Sequence, residues 1–405
     1  MEQQVVIVGG GFGGLEAAFL LKELLEPSCT ITLVDKSAFH FFVPSIHEIV
    51  SGSITAESIR IPFAAVLGPA GIRFVQDEVM SVNRENREIR CSTASIFYDY
   101  LILSAGAETN FFGIPGAEEF SFCFRKPDDA ARIRSEVERL LEEPSASCRI
   151  VLAGGGTEGA EAAGELLDLI RKEGREDDLG SRAVSIDLIE SKKRLLTGFP
   201  ARAQDFAEQY LRDRGVNVLT GRSIVEVRRD CVVLDNGEQR KASVLIWTGG
   251  IQPAKLIRNL RLEKDRQGWL RVTDRLQSLD DERIYGIGDA VSISNDDGPL
   301  SLQRLAHHAQ DQARVAATNI ARHRNGRELV AYSPKNKPQL ISLGRGMGIF
   351  TMEDRVLSGS WVVALKKAVE RKHIMGCLTR PVSSAIAARI PGAGFLRRLR
   401  MRLPV

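Results

Sequence analysis

The sequence predicts an α/β protein with two Rossmann-like dinucleotide-binding domains and a C-terminal segment of basic, amphipathic helix. Three observations lead there. A glycine-rich turn follows a β-branched strand near the N-terminus, the same arrangement recurs in mid-chain, and positive charge collects at the end of the chain. The expected division is a discontinuous first domain (1–112 and 270–330), a second domain (113–269) and a C-terminal region (331–405).

At 405 residues, 43% hydrophobic and 26% charged, the chain has the composition of an ordinary globular protein with room for more than one core. It contains no run of about 18 apolar residues, so no helix is expected to span a membrane. The first strand, Val5-Val6-Ile7-Val8, starts too close to Met1 for a cleavable leader. Six scattered cysteines show neither CxxC nor metal-ligand spacing, so no metal site is expected and reduced thiols are.

The first turn runs Gly9-Gly10-Gly11-Phe12-Gly13-Gly14 and leads into the helix-forming run Leu15 to Leu25. In its GxGxxG frame Gly9 permits the tight turn, Gly11 lets the backbone approach a pyrophosphate, and Gly14 lets helix and strand close up. The next strand, Ile31 to Val34, ends in Asp35, placed to accept the ribose hydroxyls of an adenosine. Lys36, Val79, Ala105 and Gly106 are expected around the same nucleotide, the last two at the end of the strand Tyr98 to Leu103.

The second turn follows Ile150-Val151-Leu152-Ala153 and repeats the frame with Gly154, Gly156 and Gly159. A helix is expected over Ala160 to Leu169, a loop over Arg171 to Arg182, and a strand, Val184 to Ile189, ending in Glu190. A carboxylate at Glu190 repels a 2′-phosphate and so favours NADH over NADPH, although Lys192, Lys193 and Arg194 follow and could answer a phosphate or be a solvated charge run. Gly249 closes a matching strand end, Val244 to Trp247. Further on, Gly288-Asp289 follows the strand Ile284 to Ile287, where an acid can hold ribityl hydroxyls of a flavin or simply belong to an ordinary turn. The expected cofactors are therefore FAD in the first domain and NADH in the second.

These residues resemble the type II NADH:quinone oxidoreductases over nearly the whole chain. The likeness is carried by the first fingerprint, by His40-Phe41-Phe42-Val43-Pro44, by Gly154 through Leu166, by Trp247-Thr248-Gly249-Gly250 and by Gly288-Asp289. It implies non-covalent FAD, NADH on one face of the flavin, a quinone acceptor near the other, and a peripheral enzyme on the cytoplasmic side of the cell membrane. It also implies that Glu165 lies near flavin and nicotinamide, where it could relay a proton or be an ordinary helix acid, and that Pro44 belongs to the flavin lid or to a plain loop. One stretch departs from the family's AQxAxQQ: Ala306-His307-His308-Ala309-Gln310-Asp311-Gln312 has His307 and Asp311 in place of two glutamines. At i, i+4 they could pair as a proton donor to quinone, form an exposed ion pair, or mark a different acceptor altogether.

The net charge of +3 conceals an asymmetry: from Trp361 onward there are ten basic residues and one acid, Glu370. Trp361, Val362, Leu365, Val369 and Gly376 are expected near one helical face with Lys366, Lys367 and Arg371 elsewhere, and Phe395 to Leu403 alternates apolar and basic residues. An anionic membrane surface fits best, with a partner subunit (a homodimer among the options) or plain solvation as alternatives. No aromatic platform accompanies the charge, so nucleic acid is not expected. The rival functions are a sulfide:quinone oxidoreductase-like enzyme, with Cys123 and Cys377 the one conceivable thiol pair, and a non-catalytic NAD(H)-sensing flavoprotein.

Overall fold

Two aliphatic, β-branched stretches, Gln3–Val8 and Cys148–Ala153, become the central strands of two parallel sheets. Val5, Val6 and Ile7 in one, and Ile150, Val151 and Leu152 in the other, are buried on both faces, as strands covered by helices on either side must be. The computed structural model describes residues 3–25, 27–143, 147–180, 183–295, 298–300 and 302–388, with the backbone alone for 381–388.

In the first sheet the order is Ile284–Gly286, Tyr100–Leu103, Gln3–Val8, Cys29–Asp35, Arg73–Gln76, parallel throughout. In the second it is Phe122–Cys123, Val244–Trp247, Cys148–Ala153, Val184–Glu190, Val216–Thr220, again parallel. The layouts coincide. The strand that enters the glycine turn is central, the acid-bearing strand flanks it on one side, and the strand ending in small residues flanks it on the other. Val8 lies opposite Val34 and Leu103, and Ala153 opposite Ile189 and Trp247. Turn, acid and small-residue end therefore converge at the carboxyl edge of each sheet, where open α/β sheets bind ligands.

The chain passes from one sheet to the other and back through a single antiparallel ribbon, Ala107–Thr109 against Ile251–Pro253. After the return, Ile284–Gly286 adds to the edge of the first sheet, and the helix Ala306–Arg324 packs along the first fingerprint helix, Phe12–Leu25. The second fingerprint helix, Thr157–Lys172, runs three residues past the expected Leu169, and its basic last turn suits the negative end of the helix dipole.

Beyond residue 331 the expectation of helices missed an antiparallel meander: Gln339–Ser342, Gly348–Met352 and Arg355–Gly359. These strands are too short for alternation to stand out, and their burial comes from outside: Leu343 and Ile349 join the core of the second domain. The contact is close. A β carbon on Gly164 of the second fingerprint helix would lie 2.3 Å from the carbonyl carbon of Leu343.

The C-terminal helix, Ser360–Ala388, also corrects an expectation. Val362 and Lys366 share the inward face with Val363, Glu370 and Cys377, whereas Trp361, Leu365, Val369, Met375 and Leu378 face outward. Lys366 is inside because a carboxylate awaits it there. The basic and apolar stretch Phe395 to Leu403 lies outside the described residues.

Candidate active site

Each sheet ends in the same cradle. A β carbon on Gly14 would stand 1.8 Å from the Gly9 carbonyl oxygen, and one on Gly159 would stand 1.9 Å from that of Gly154. Only hydrogen fits at either helix–strand contact. At Gly11 and Gly156, by contrast, no described residue beyond the immediate chain neighbours comes within 4 Å of the β-carbon position, leaving open space over each turn beside the helix N-terminus, as a pyrophosphate needs.

The two acids are held alike. Asp35 Oδ2 accepts the Gly10 N–H at 2.6 Å and its Oδ1 that of Ser37 at 2.7 Å. Glu190 Oε2 accepts the Gly155 N–H at 2.6 Å and its Oε1 that of Lys192 at 2.7 Å. Each carboxylate is thus pinned beside its turn. Burial pushes Asp35 above the usual carboxylate range, with the amides of Gly10 and Ser37 opposing. A cavity of about 190 Å³ opens beside Asp35, lined by Lys36, Val79, Ala105 and Gly9. Lys36 also reaches Glu78 at 3.5 Å. Gly106, with nothing near its β-carbon position, adds open space at the adjacent strand end.

Gly288 and Asp289 sit in a second cavity of about 210 Å³. The Gly288 N–H donates to Gln312 at 2.6 Å. Burial raises Asp289, with the guanidinium groups of Arg125 and Arg304 opposing. Arg125 also reaches Glu158 of the second fingerprint helix at 3.5 Å, so one cation lies near acids of both domains. Gly249 lies against the other cradle, where a β carbon on Gly154 would meet its Cα at 2.7 Å. Neither Phe12 nor Gly13 offers side-chain chemistry to phosphate. The Phe12 ring packs instead on His40, Phe42 and His373 of the C-terminal helix.

Glu165 is 1% exposed and accepts a hydrogen bond from the Ser51 hydroxyl. Burial pushes its carboxyl up to about 8, Ser51 opposing. It belongs to a buried cluster where the second fingerprint helix, the short helix His47–Val50 and the C-terminal helix meet. Lys366 Nζ lies 2.5 Å from Glu161 and 3.2 Å from His47 Nε2, and His47 Nδ1 lies 3.4 Å from Glu161. Lys367 pairs with Glu48 at 3.1 Å. Burial, with Lys366 and Lys367 adding, holds the His47 ring well below its ordinary range and hence neutral. Burial, with Glu48 adding, pushes Glu370 up to about 7. Two lysines thus answer Glu161 and Glu48, Glu165 is held mainly as a protonated acid at neutral pH, and Glu370 is brought to the point where both forms are populated.

Pro44 lies in the middle of the short turn Val43–Ser45 ahead of this cluster. The expected pairing of His307 with Asp311 does not form. Asp311 is taken by Arg314 and Lys337, both at 2.7 Å, because Lys337 from the following segment reaches it first. His307 packs against His308 with tilted rings 4.2 Å apart, and burial lowers it to about 4. Sequence reasoning missed His47, Glu48, Ser51, Glu161, Lys366 and Glu370. One signal was available: Glu161 lies four residues before Glu165 and so on its face of the helix.

Residues 3–313 match the family model described as pyridine nucleotide-disulphide oxidoreductase. The chain belongs to this family and is an oxidoreductase. The disulphide of that description has no counterpart, since all six cysteines are free. An NADH dehydrogenase-like protein of Mycobacterium tuberculosis is 30% identical over 96% of this chain and 98% of its own. A demethylphylloquinone reductase of Synechocystis is 28% identical over 90% and 91%, and a type II NADH:quinone oxidoreductase of Staphylococcus epidermidis 26% over 92% and 95%. Among solved structures, NDH2 from Plasmodium falciparum in complex with NADH superposes with a TM-score of 0.83 at 20% identity, covering 97% of this chain and 99% of that one. The sulfide:quinone oxidoreductase of Aquifex aeolicus gives 0.81 at 20%, covering 93% and 92%. These last two share the fold.

Proposed function

We propose that the protein is an FAD-dependent NADH:quinone oxidoreductase working at a membrane surface, on the cytoplasmic side. The observation that carries this reading is the duplicated cradle, with Asp35 and Glu190 pinned in the same way beside two open glycine turns. The first cradle, with Asp35, Gly106 and Asp289, would hold FAD, which when bound accepts a hydride and passes two electrons onward. The second, with Gly156 and Glu190, holds NADH. The pinned Glu190 carboxylate repels a 2′-phosphate, and Arg194 is already spent on Asp205 and Glu208, which together support NADH over NADPH. The protein's own work is positioning, exclusion of water and proton supply. Glu165 holds a proton at neutral pH, and His307, with a neutral ring and Nε2 buried without a partner, is the candidate contact for a quinone oxygen.

The C-terminal helix fits a lipid surface through Trp361, Leu365, Val369 and Leu378, with Arg371 and Lys372 also exposed. Lys366, Lys367 and Arg380 do not contribute, because they are paired with Glu161, Glu48 and Glu16. A sulfide-oxidising reading is disfavoured: burial pushes the Cys377 thiol up to about 11, the reverse of an activated thiolate. Anaerobic titration tests the proposal. NADH should bleach the bound flavin, and a menaquinone or ubiquinone analogue should restore its colour. Flavin bleached by sulfide and not by NADH would refute it, and flavin that neither reductant bleaches would leave a sensor.

A further inference from the structure

Phe112 breaks a local rule. It has φ +53° and Gly113 has φ +68°, and the Ile114 N–H donates to the Phe111 carbonyl at 3.0 Å. Two successive left-handed residues close a turn whose positions usually go to Asn, Asp or Gly. A phenylalanine β carbon crowds the backbone in that conformation. Its ring gains little burial in return, being 62% exposed. Strain and exposure of a large apolar ring at one residue are a conflict of the kind that collects at ligand sites.

The surroundings indicate the ligand. Asn110 Oδ1 accepts the Phe112 N–H at 2.8 Å, and the Asn110 N–H donates to the Gly250 carbonyl at 3.0 Å. The ring lies against Gly250, where a β carbon would come within 2.8 Å of Phe112 Cζ. Gly249, next in the chain, touches Gly154 of the second fingerprint. The ring therefore stands at the mouth of the second cradle. Strand order gives the side. Val184–Glu190, with its ribose-binding acid, flanks the central strand on one edge, and Val244–Trp247 flanks it on the other. A dinucleotide with its adenosine at Glu190 and its pyrophosphate on the Gly154–Gly159 turn runs on towards Gly249 and Gly250 with its nicotinamide half.

We propose that Phe112 is a binding residue for the nicotinamide half of the pyridine nucleotide, its exposed ring covered when that half is in place. This rests on the reading of the second cradle as the NAD(H) site. The test compares FAD-loaded wild type, Phe112→Gly and Phe112→Tyr by calorimetric titration with NAD⁺ and with ADP-ribose, which lacks the nicotinamide. Glycine removes the backbone strain, so this variant should fold, keep its flavin and melt no lower than wild type. It should bind NAD⁺ about tenfold more weakly, as loss of one aromatic stacking partner costs, and ADP-ribose within about twofold of wild type. Tyrosine should restore NAD⁺ binding. Unchanged NAD⁺ affinity in Phe112→Gly, or an equal loss for both ligands, overturns the assignment alone. A wild type that binds neither ligand overturns the cradle reading, and this assignment with it.

Discussion

Glu165 offers a stability test that needs no substrate. Its carboxyl ionises at about 8 in the folded chain against 4.5 for a free glutamate, because burial penalises the charge more than the Ser51 hydroxyl stabilises it. At 1.36 kcal/mol per pH unit the full cost of that shift is about 5 kcal/mol. Below pH 4.5 both folded and unfolded chains hold the proton and nothing is lost. Between 4.5 and 8 the unfolded chain ionises and the folded one does not, so stability falls as pH rises, and above 8 the loss is complete. From pH 6 to 8 it amounts to about 2.5 kcal/mol. Glu165→Gln keeps the shape and an acceptor for Ser51 but has no proton to lose. Its melting temperature, relative to wild type, should therefore rise by roughly 3 °C between pH 6 and 8 in FAD-loaded protein. Glu370 titrates in the same direction but is present in both proteins and cancels. Parallel melting curves across this range would refute the buried, protonated carboxyl. The same variant should lose about a hundredfold or more in turnover if Glu165 supplies a proton to the acceptor, and normal turnover would remove it from the chemistry.

Two further outcomes follow from the packing. Gly159→Ala places a methyl group 1.9 Å from the Gly154 carbonyl, so the purified protein should stay yellow yet bind NADH more than tenfold more weakly; unchanged NADH affinity by titration would contradict the close contact. Lys366→Met leaves Glu161 buried without its cation, and should lower stability by about 3–5 kcal/mol at neutral pH. Adding Glu161→Gln should recover much of that in thermal melts, and a double variant no better than the single one would show that the ion pair is not the cause.

Much of the site was legible because it is local. A glycine frame, the strand before it and the acid after the next strand all lie within a short stretch of chain, and their geometry is set by backbone rules that sequence displays directly. Both cradles, with Asp35 and Glu190, could be named on that basis. The charged cluster could not. His47, Glu161 and Lys366 are far apart in the chain and meet only when the C-terminal helix lies across the second domain. The pairing of His307 with Asp311 failed for the same reason: helical spacing puts two residues on one face, but Lys337 from another segment decides what Asp311 holds.

The sequence alone determined the architecture, two parallel sheets each with a glycine-rich turn at its carboxyl edge, because hydrophobic period, glycine spacing and strand-end acids are properties of contiguous residues. Tertiary structure alone decided which charges are spent inside and which remain for a partner. Lys366, Lys367 and Arg380 read in sequence as part of a basic tail and prove to be fastened to carboxylates of both domains. Desolvation is the physical reason: a charge in a linear sequence has water by default, and only the assembled fold shows whether a counter-charge has replaced it.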